Sequence, residues 1–159
     1  MNKDSVVASS AGGVSNNNKA GVQYSFSFGN NNQVNSGSSN IVAGETNVIQ
    51  SGNSNAVMRY INTSDGSYKM VAGTDKNAIT GNANSIFGQN NFADGSYLGA
   101  IGKDNIVFYQ SAVALGQGNK DSGWASIAGG LNNTINTGVQ FSTLFGTNNQ
   151  LNSGFSNSA

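Results

Sequence analysis

The chain contains no cysteine, no proline and no histidine, and of its 159 residues only seven are acidic and seven basic. Each absence removes a class of function. Without histidine or cysteine there are no zinc sites of the usual kinds and no nucleophile–base triads. No cofactor site is expected, and the chain is not read as an enzyme. A net charge of zero with no lysine or arginine cluster removes the electrostatic footprint of a nucleic-acid binder or an anionic-membrane binder. No apolar run approaches the roughly 18 residues of a membrane span, and the first residues lack the charged-then-apolar pattern of a signal peptide.

What remains is glycine, asparagine, serine and a 36% apolar fraction held at fixed phases. Ten asparagines (Asn16, Asn32, Asn47, Asn62, Asn77, Asn91, Asn105, Asn119, Asn133 and Asn149) recur every 14 to 16 residues. Three or four residues before each stands a glycine, replaced once by Arg59, and in nine of ten coils a second glycine follows four or five residues after. Such a period over the whole length predicts a solenoid. The three residues before the first glycine, as in IVA (41–43), SIF (85–87) and VAL (113–115), are apolar at consecutive positions. A strand alternates its side chains between two faces, so this one needs cover on both sides. After each asparagine a polar–apolar–polar alternation (Gln33, Val34, Asn35) predicts a second strand buried on one face only. The glycines fit tight corners, and the asparagines fit an amide ladder in which each side chain bonds to the next. About ten stacked coils would make a rod on the order of 50 Å long. Its second apolar face, through Phe28, Met58, Phe87, Ile101, Leu115 and Phe145, predicts self-association.

The segments NIVAGETNVIQSG (40–52), SIFGQNNFADG (85–95), VALGQGNKDSG (113–123) and SIAGGLNNTINTG (126–138) resemble the head repeats of trimeric autotransporter adhesins of the YadA-like type. The resemblance covers nearly the whole chain. It implies an all-β, left-handed parallel β-roll over residues 1–159, homotrimeric about the doubly apolar strand. The chain would be a head fragment without its stalk and anchor, carried on the bacterial surface by an outer-membrane anchor and making no direct membrane contact itself. It also implies adhesion to a host receptor or matrix glycoprotein; a purely structural spacer is the alternative. An ice-binding face ranks below adhesion in this reading, because the outer row after the asparagines mixes Gln33, Val48, Thr63, Phe92, Ile106 and Lys120 where a regular threonine row would be expected.

Two outward clusters stand out as candidate ligand-binding residues. Phe92 and Ile106 fall on adjacent coils with Phe108 two residues further on, and Tyr109 occupies a missing second glycine. Aromatic clusters of this kind are enriched at interaction surfaces. The short Asn-to-Gly spacing of NFADG also allows a local register shift that would turn these side chains inward. Arg59 and Tyr60 form the second cluster, in the irregular fourth coil. The carboxylates Asp4, Glu45, Asp65, Asp75, Asp94, Asp104 and Asp121 are dispersed and read as solvated turn residues.

Overall fold

The computed structural model describes residues 3–4 and 8–159. Every regular element among them is a β-strand, and the strands form two parallel sheets, one of ten strands and one of eleven. Alternate strands in the sequence belong to alternate sheets, so the chain winds as a parallel β-solenoid of about nine turns. Pairing joins equivalent positions of successive coils, for example Phe87 with Ile101 and Ile101 with Leu115. The ladder slips only between Val48–Ser51 and Thr63–Asp65, where a bulge lies between Ile49 and Ser51.

The ten-stranded sheet is built from five-residue strands such as Ile41–Glu45, Ser85–Gln89 and Val113–Gln117. Their second residue points inward: Val42, Val57, Val71, Ile86, Ala100, Ala114, Ala128 and Leu144 are buried. They meet Val34, Ile49, Ile79, Ala93, Val107 and Ile135 from the eleven-stranded sheet. Each coil therefore contributes about one inward side chain per strand, a core too thin to hold a coil in isolation.

Hydrogen bonds along the rod make up the difference. Each ladder asparagine is buried at the corner after a ten-stranded-sheet strand, apart from Asn149 in the last coil. The Asn32 amide nitrogen donates to Asn16 Oδ1 (3.0 Å), Phe28 O (2.7 Å) and Gly44 O (2.8 Å), while Asn32 Oδ1 accepts from the backbone and the amide of Asn47. The pattern repeats through Asn133. The glycine column has a second cause besides corner geometry. A Cβ on Gly29 would stand 2.1 Å from Gly44 O, and one on Gly102 would stand 1.9 Å from Gly116 O. Coils stack here backbone on backbone. The positive-φ residues beside the ladder are often not glycine, as Asn31, Thr46, Asn90 and Asn132 show.

A second, shorter ladder, not apparent in the sequence pattern, occupies the opposite corner. Asn40 Oδ1 accepts from Asn55 N, and Asn55 Oδ1 accepts from Lys69 N. Lys69 then takes the place of an asparagine. It is 3% exposed, and its ammonium donates to the carbonyls of Asp65 and Ile79. Burial pulls its pKa down to about 8, against the opposing pull of Asp65.

Asp121 corrects the reading of all carboxylates as solvated. It is fully buried, in the inward slot that Val107 and Ile135 fill on the neighbouring coils, and it separates the core into two apolar clusters. Its Oδ1 accepts from Ser126 Oγ (2.5 Å) and Gly123 N (3.0 Å), while Oδ2 has no partner. Desolvation raises its pKa from 3.8 to about 6, an effect the Ser126 and backbone hydrogen bonds only partly offset.

Two tests follow from the interior. Asn77 donates to Asn62 Oδ1 (2.7 Å) and Gly88 O (3.0 Å) and accepts from Asn91 N (2.9 Å), so Asn77→Ala orphans buried groups on both neighbouring coils. It should cost roughly 3 kcal/mol in denaturant unfolding, and Asn149→Ala, at an exposed terminal position, less than half of that. For Asp121, the folded carboxyl keeps its proton up to about 6 and the unfolded one only to 3.8. The folded state thus binds the extra proton in that window, and stability falls as pH rises through it. Asp121→Asn should abolish the slope between those values and raise stability at pH 7 by about 2–3 kcal/mol; an unchanged pH profile of the melting temperature would refute the assignment.

Candidate functional surfaces

Two outer surfaces differ sharply in chemistry. On the ten-stranded sheet, the first and third residues of each strand point outward. The first column reads Ser10, Phe26, Ile41, Ala56, Met70, Ser85, Gly99, Val113, Ile127 and Thr143. The third reads Gly12, Phe28, Ala43, Met58, Ala72, Phe87, Ile101, Leu115, Gly129 and Phe145. Neither column contains an ionisable side chain or an amide. Phe26, Phe28, Ile41, Met70, Ile101 and Phe145 are each between 42% and 50% exposed.

Large and small residues alternate along the third column except at Phe87, Ile101 and Leu115, which follow one another, and two of its rings lie down on the sheet. A Cβ on Gly129 would stand 2.1 Å from Phe145 Cε1, and one on Gly12 would stand 2.9 Å from Phe28 Cδ1. Phe28 and Phe145 therefore each lie across the preceding coil in the space its glycine leaves open. Phe26 and Phe28 share one tilt, with ring planes 7° apart and centroids at 6.3 Å. Laid-down rings over glycines level the face.

The six residues expected at a trimer interface (Phe28, Met58, Phe87, Ile101, Leu115 and Phe145) all belong to this third column. In the single chain Phe28, Ile101 and Phe145 are open to solvent, and Met58, Phe87 and Leu115 are half-buried by their neighbours along the column. Arg59 and Tyr60 end the strand Ala56–Tyr60 on the same sheet. Arg59 fills the glycine column with φ at 82°, its side chain exposed, and Tyr60 pairs in register with Glu45 at the rim.

Phe92, Ile106, Phe108 and Tyr109 belong to the other side. Phe92 pairs directly with Ile106, and the Phe92 and Phe108 ring centroids are 5.7 Å apart. No register shift occurs there, so Phe92 and Ile106 point outward from the eleven-stranded sheet with Phe108 half-covered. Tyr109 extends the cluster around the corner at φ 69° and is 54% exposed. The structure thus unites these four and separates them from Arg59 and Tyr60. The eleven-stranded face is also interrupted by charge at Asp65, Asp94 and Lys120; Ser51 donates to Asp65 and Thr80 to Asp94. Trp124, whose place the sequence leaves open, packs edge-on against Phe141 at 4.6 Å, and Phe141 packs on Phe155 at 5.0 Å.

The apolar column expected from the sequence lies on the outer face of the ten-stranded sheet, and the mixed row of Gln33, Val48, Thr63, Phe92, Ile106 and Lys120 lies on the eleven-stranded sheet. The two outer faces differ in the sequence itself: the first and third columns of the ten-stranded sheet carry no ionisable group. Among the described residues no group of acidic side chains is arranged to hold a metal ion, and no helix is long and apolar enough to cross a membrane.

A family model described as the grass antifreeze β-roll matches residues 11–109, well over half of the chain. No curated protein matches the chain. The family match overturns the resemblance to a trimeric autotransporter head. The bacterial adhesin function, the host receptor or matrix partner, the virulence role and the outer-membrane placement fall with it, and the inference of three chains about one axis loses its ground. The low rank given to ice binding is likewise reversed. With its parallel two-sheet roll, its asparagine ladder and this match, the chain belongs to the grass antifreeze β-roll family.

Proposed function

We propose that the protein binds ice through the outer face of its ten-stranded sheet, without catalytic activity. One observation carries the reading: two adjacent, in-register columns run along that sheet with no ionisable side chain, and Phe28 and Phe145 are laid down over glycines. An ice surface is a fixed periodic lattice, and a protein holds it by matching a rigid array to it and by tolerating lattice-like water at the contact. Charged groups oppose this, since they keep strongly oriented hydration shells whose removal is costly. Apolar and small hydroxyl side chains do not.

The spacing supports the same face. Coils repeat every ~4.8 Å along the rod, and the two columns lie about 6.7 Å apart across each strand. These repeats are of the same order as those of oxygen rows on hexagonal ice. The asparagine ladders fix the array before contact, so little conformational entropy is lost on binding. The eleven-stranded sheet lacks this continuity, because Asp65, Asp94 and Lys120 interrupt it.

Ile41 and Ile101 are about half exposed and contribute nothing to the interior. Ile101→Lys and Ile41→Lys should each reduce freezing-point depression, or the inhibition of ice recrystallisation, by tenfold or more at equal protein concentration. Their circular dichroism and melting temperature should stay as in the parent. Gln33→Lys on the eleven-stranded sheet should leave the ice activity within twofold. Equal activity in Ile101→Lys would remove the ten-stranded face from consideration. A solution mass well above 16.3 kDa that falls to one chain in Ile101→Lys would show the face covered by other copies instead.

A further inference from the structure

The corner at Tyr109 carries a feature that ice binding does not use. Along this column the neighbouring coils place Gly81 and Gly95 on one side and Gly123 on the other, and the sequence puts tyrosine between them at φ 69°. Gly81 and Gly95 adopt the left-handed region without steric cost at φ 78° and 144°, and a tyrosine does so only at a cost, as Tyr24, Tyr68 and Tyr97 do at other corners. The ring is kept at a conformational cost.

Its surroundings explain what the ring does. A cleft of about 540 Å³ opens there, lined by Asp94, Phe108, Tyr109, Lys120, Ser122 and Thr137. A second cavity of about 140 Å³ shares Tyr109, Ser122 and Thr137 and extends to Trp124 and Gln140. The two are continuous at Tyr109, which lines both, and Trp124 lines the second alone; these side chains are 54% and 43% exposed. Ser122, Thr137 and the Gln140 amide line the part that Tyr109 shares with Trp124, and Asp94 and Lys120 line the other part with Phe108. The depression lies where the family match ends and mostly beyond it, so family membership does not assign it.

We propose that this cleft binds a neutral saccharide, with Tyr109 and Trp124 as stacking platforms and the side chains between them hydrogen-bonding its hydroxyls. A pyranose presents apolar C–H groups on its faces and alternating donors and acceptors at its rim, the chemistry that exposed aromatic faces flanked by serine, threonine, glutamine and a carboxylate satisfy. Asp94 and Lys120 balance in charge, which disfavours an anionic ligand. An extended peptide has no sheet edge to join, because the strands here are paired on both sides. No clustered carboxylates stand in the cleft, so the site retains a sugar and does not cleave it.

Trp124 is the only tryptophan of the chain and lines the cleft, so its emission reports occupancy directly. The full chain is titrated with glucose, galactose, mannose, N-acetylglucosamine and their disaccharides, followed by Trp124 fluorescence and by saturation-transfer NMR. At least one of these should give a saturable change in both. Tyr109→Gly installs the residue the column favours, so the melting temperature should hold or rise while saccharide affinity falls at least tenfold. Tyr24→Ala, at an exposed ring in an early coil that lines neither cavity, should bind as the parent does. The proposal is overturned if no sugar of the panel binds by either readout, if Tyr109→Gly binds unchanged, or if a sulfated disaccharide binds more tightly than the neutral one. Ice activity should not change in Tyr109→Gly, which keeps this test separate from that of the ten-stranded face.

Discussion

The amide of a buried asparagine is the contact on which the rest of this molecule depends. At the corner after each strand of the ten-stranded sheet, one side chain bonds to its own coil, to the coil before and to the coil after. It satisfies carbonyls that a corner would otherwise bury unpaired, a cost of about 1–3 kcal/mol for each such group. With only about one inward side chain per strand, apolar burial alone would not order a coil of this size. Stability is therefore a property of neighbouring coils taken together, as in other repeat proteins. Departures stay local: in the second ladder Lys69 replaces an amide with an ammonium that reaches the equivalent carbonyl of Asp65 and, on the next coil, that of Ile79.

Register is the means by which the interior governs the exterior. Because each strand pairs residue for residue with the next, whatever occupies the first and third positions is repeated as two straight outer columns. Where those columns hold no charge, the result is a level apolar sheet face. Where the repeat lapses, as at Tyr109 or Asp121, the lapse stays local: a cleft at one corner, a buried acid in one coil. A thin solenoid tolerates such exceptions because the coils on either side remain intact.

Much of the architecture was legible in the sequence. The period located the coils, the consecutive apolar residues located strands apolar on both faces, of which the structure buries only the inner one, and the polar–apolar–polar alternation located strands wet on one. These signals come from the interior, where stacking distance and corner geometry permit few residue types. The ligand was not legible by the same route. Glycine, asparagine and apolar residues at these phases satisfy any narrow two-sheet roll, so an adhesin head and an antifreeze roll share the same inner pattern while their working surfaces differ. The informative contrast lay outside, between two columns free of charge and a face interrupted by Asp65, Asp94 and Lys120. Asp121 escaped notice for a different reason. Its position after Asn119 is an inward one by the pattern itself, but a carboxylate there conflicts with the expectation that acids face water.

The backbone-on-backbone contact of the glycine column has a consequence for how such a molecule lengthens. Since Gly102 meets Gly116 through main-chain atoms alone, that junction does not depend on which coil lies above or below. A whole unit can be copied in tandem without any new complementary partner having to arise, and each added copy extends the outer face by one further row. Length is then a quantity that inheritance can change in whole steps, and under the function proposed above a longer face would grip a crystal more firmly with every step.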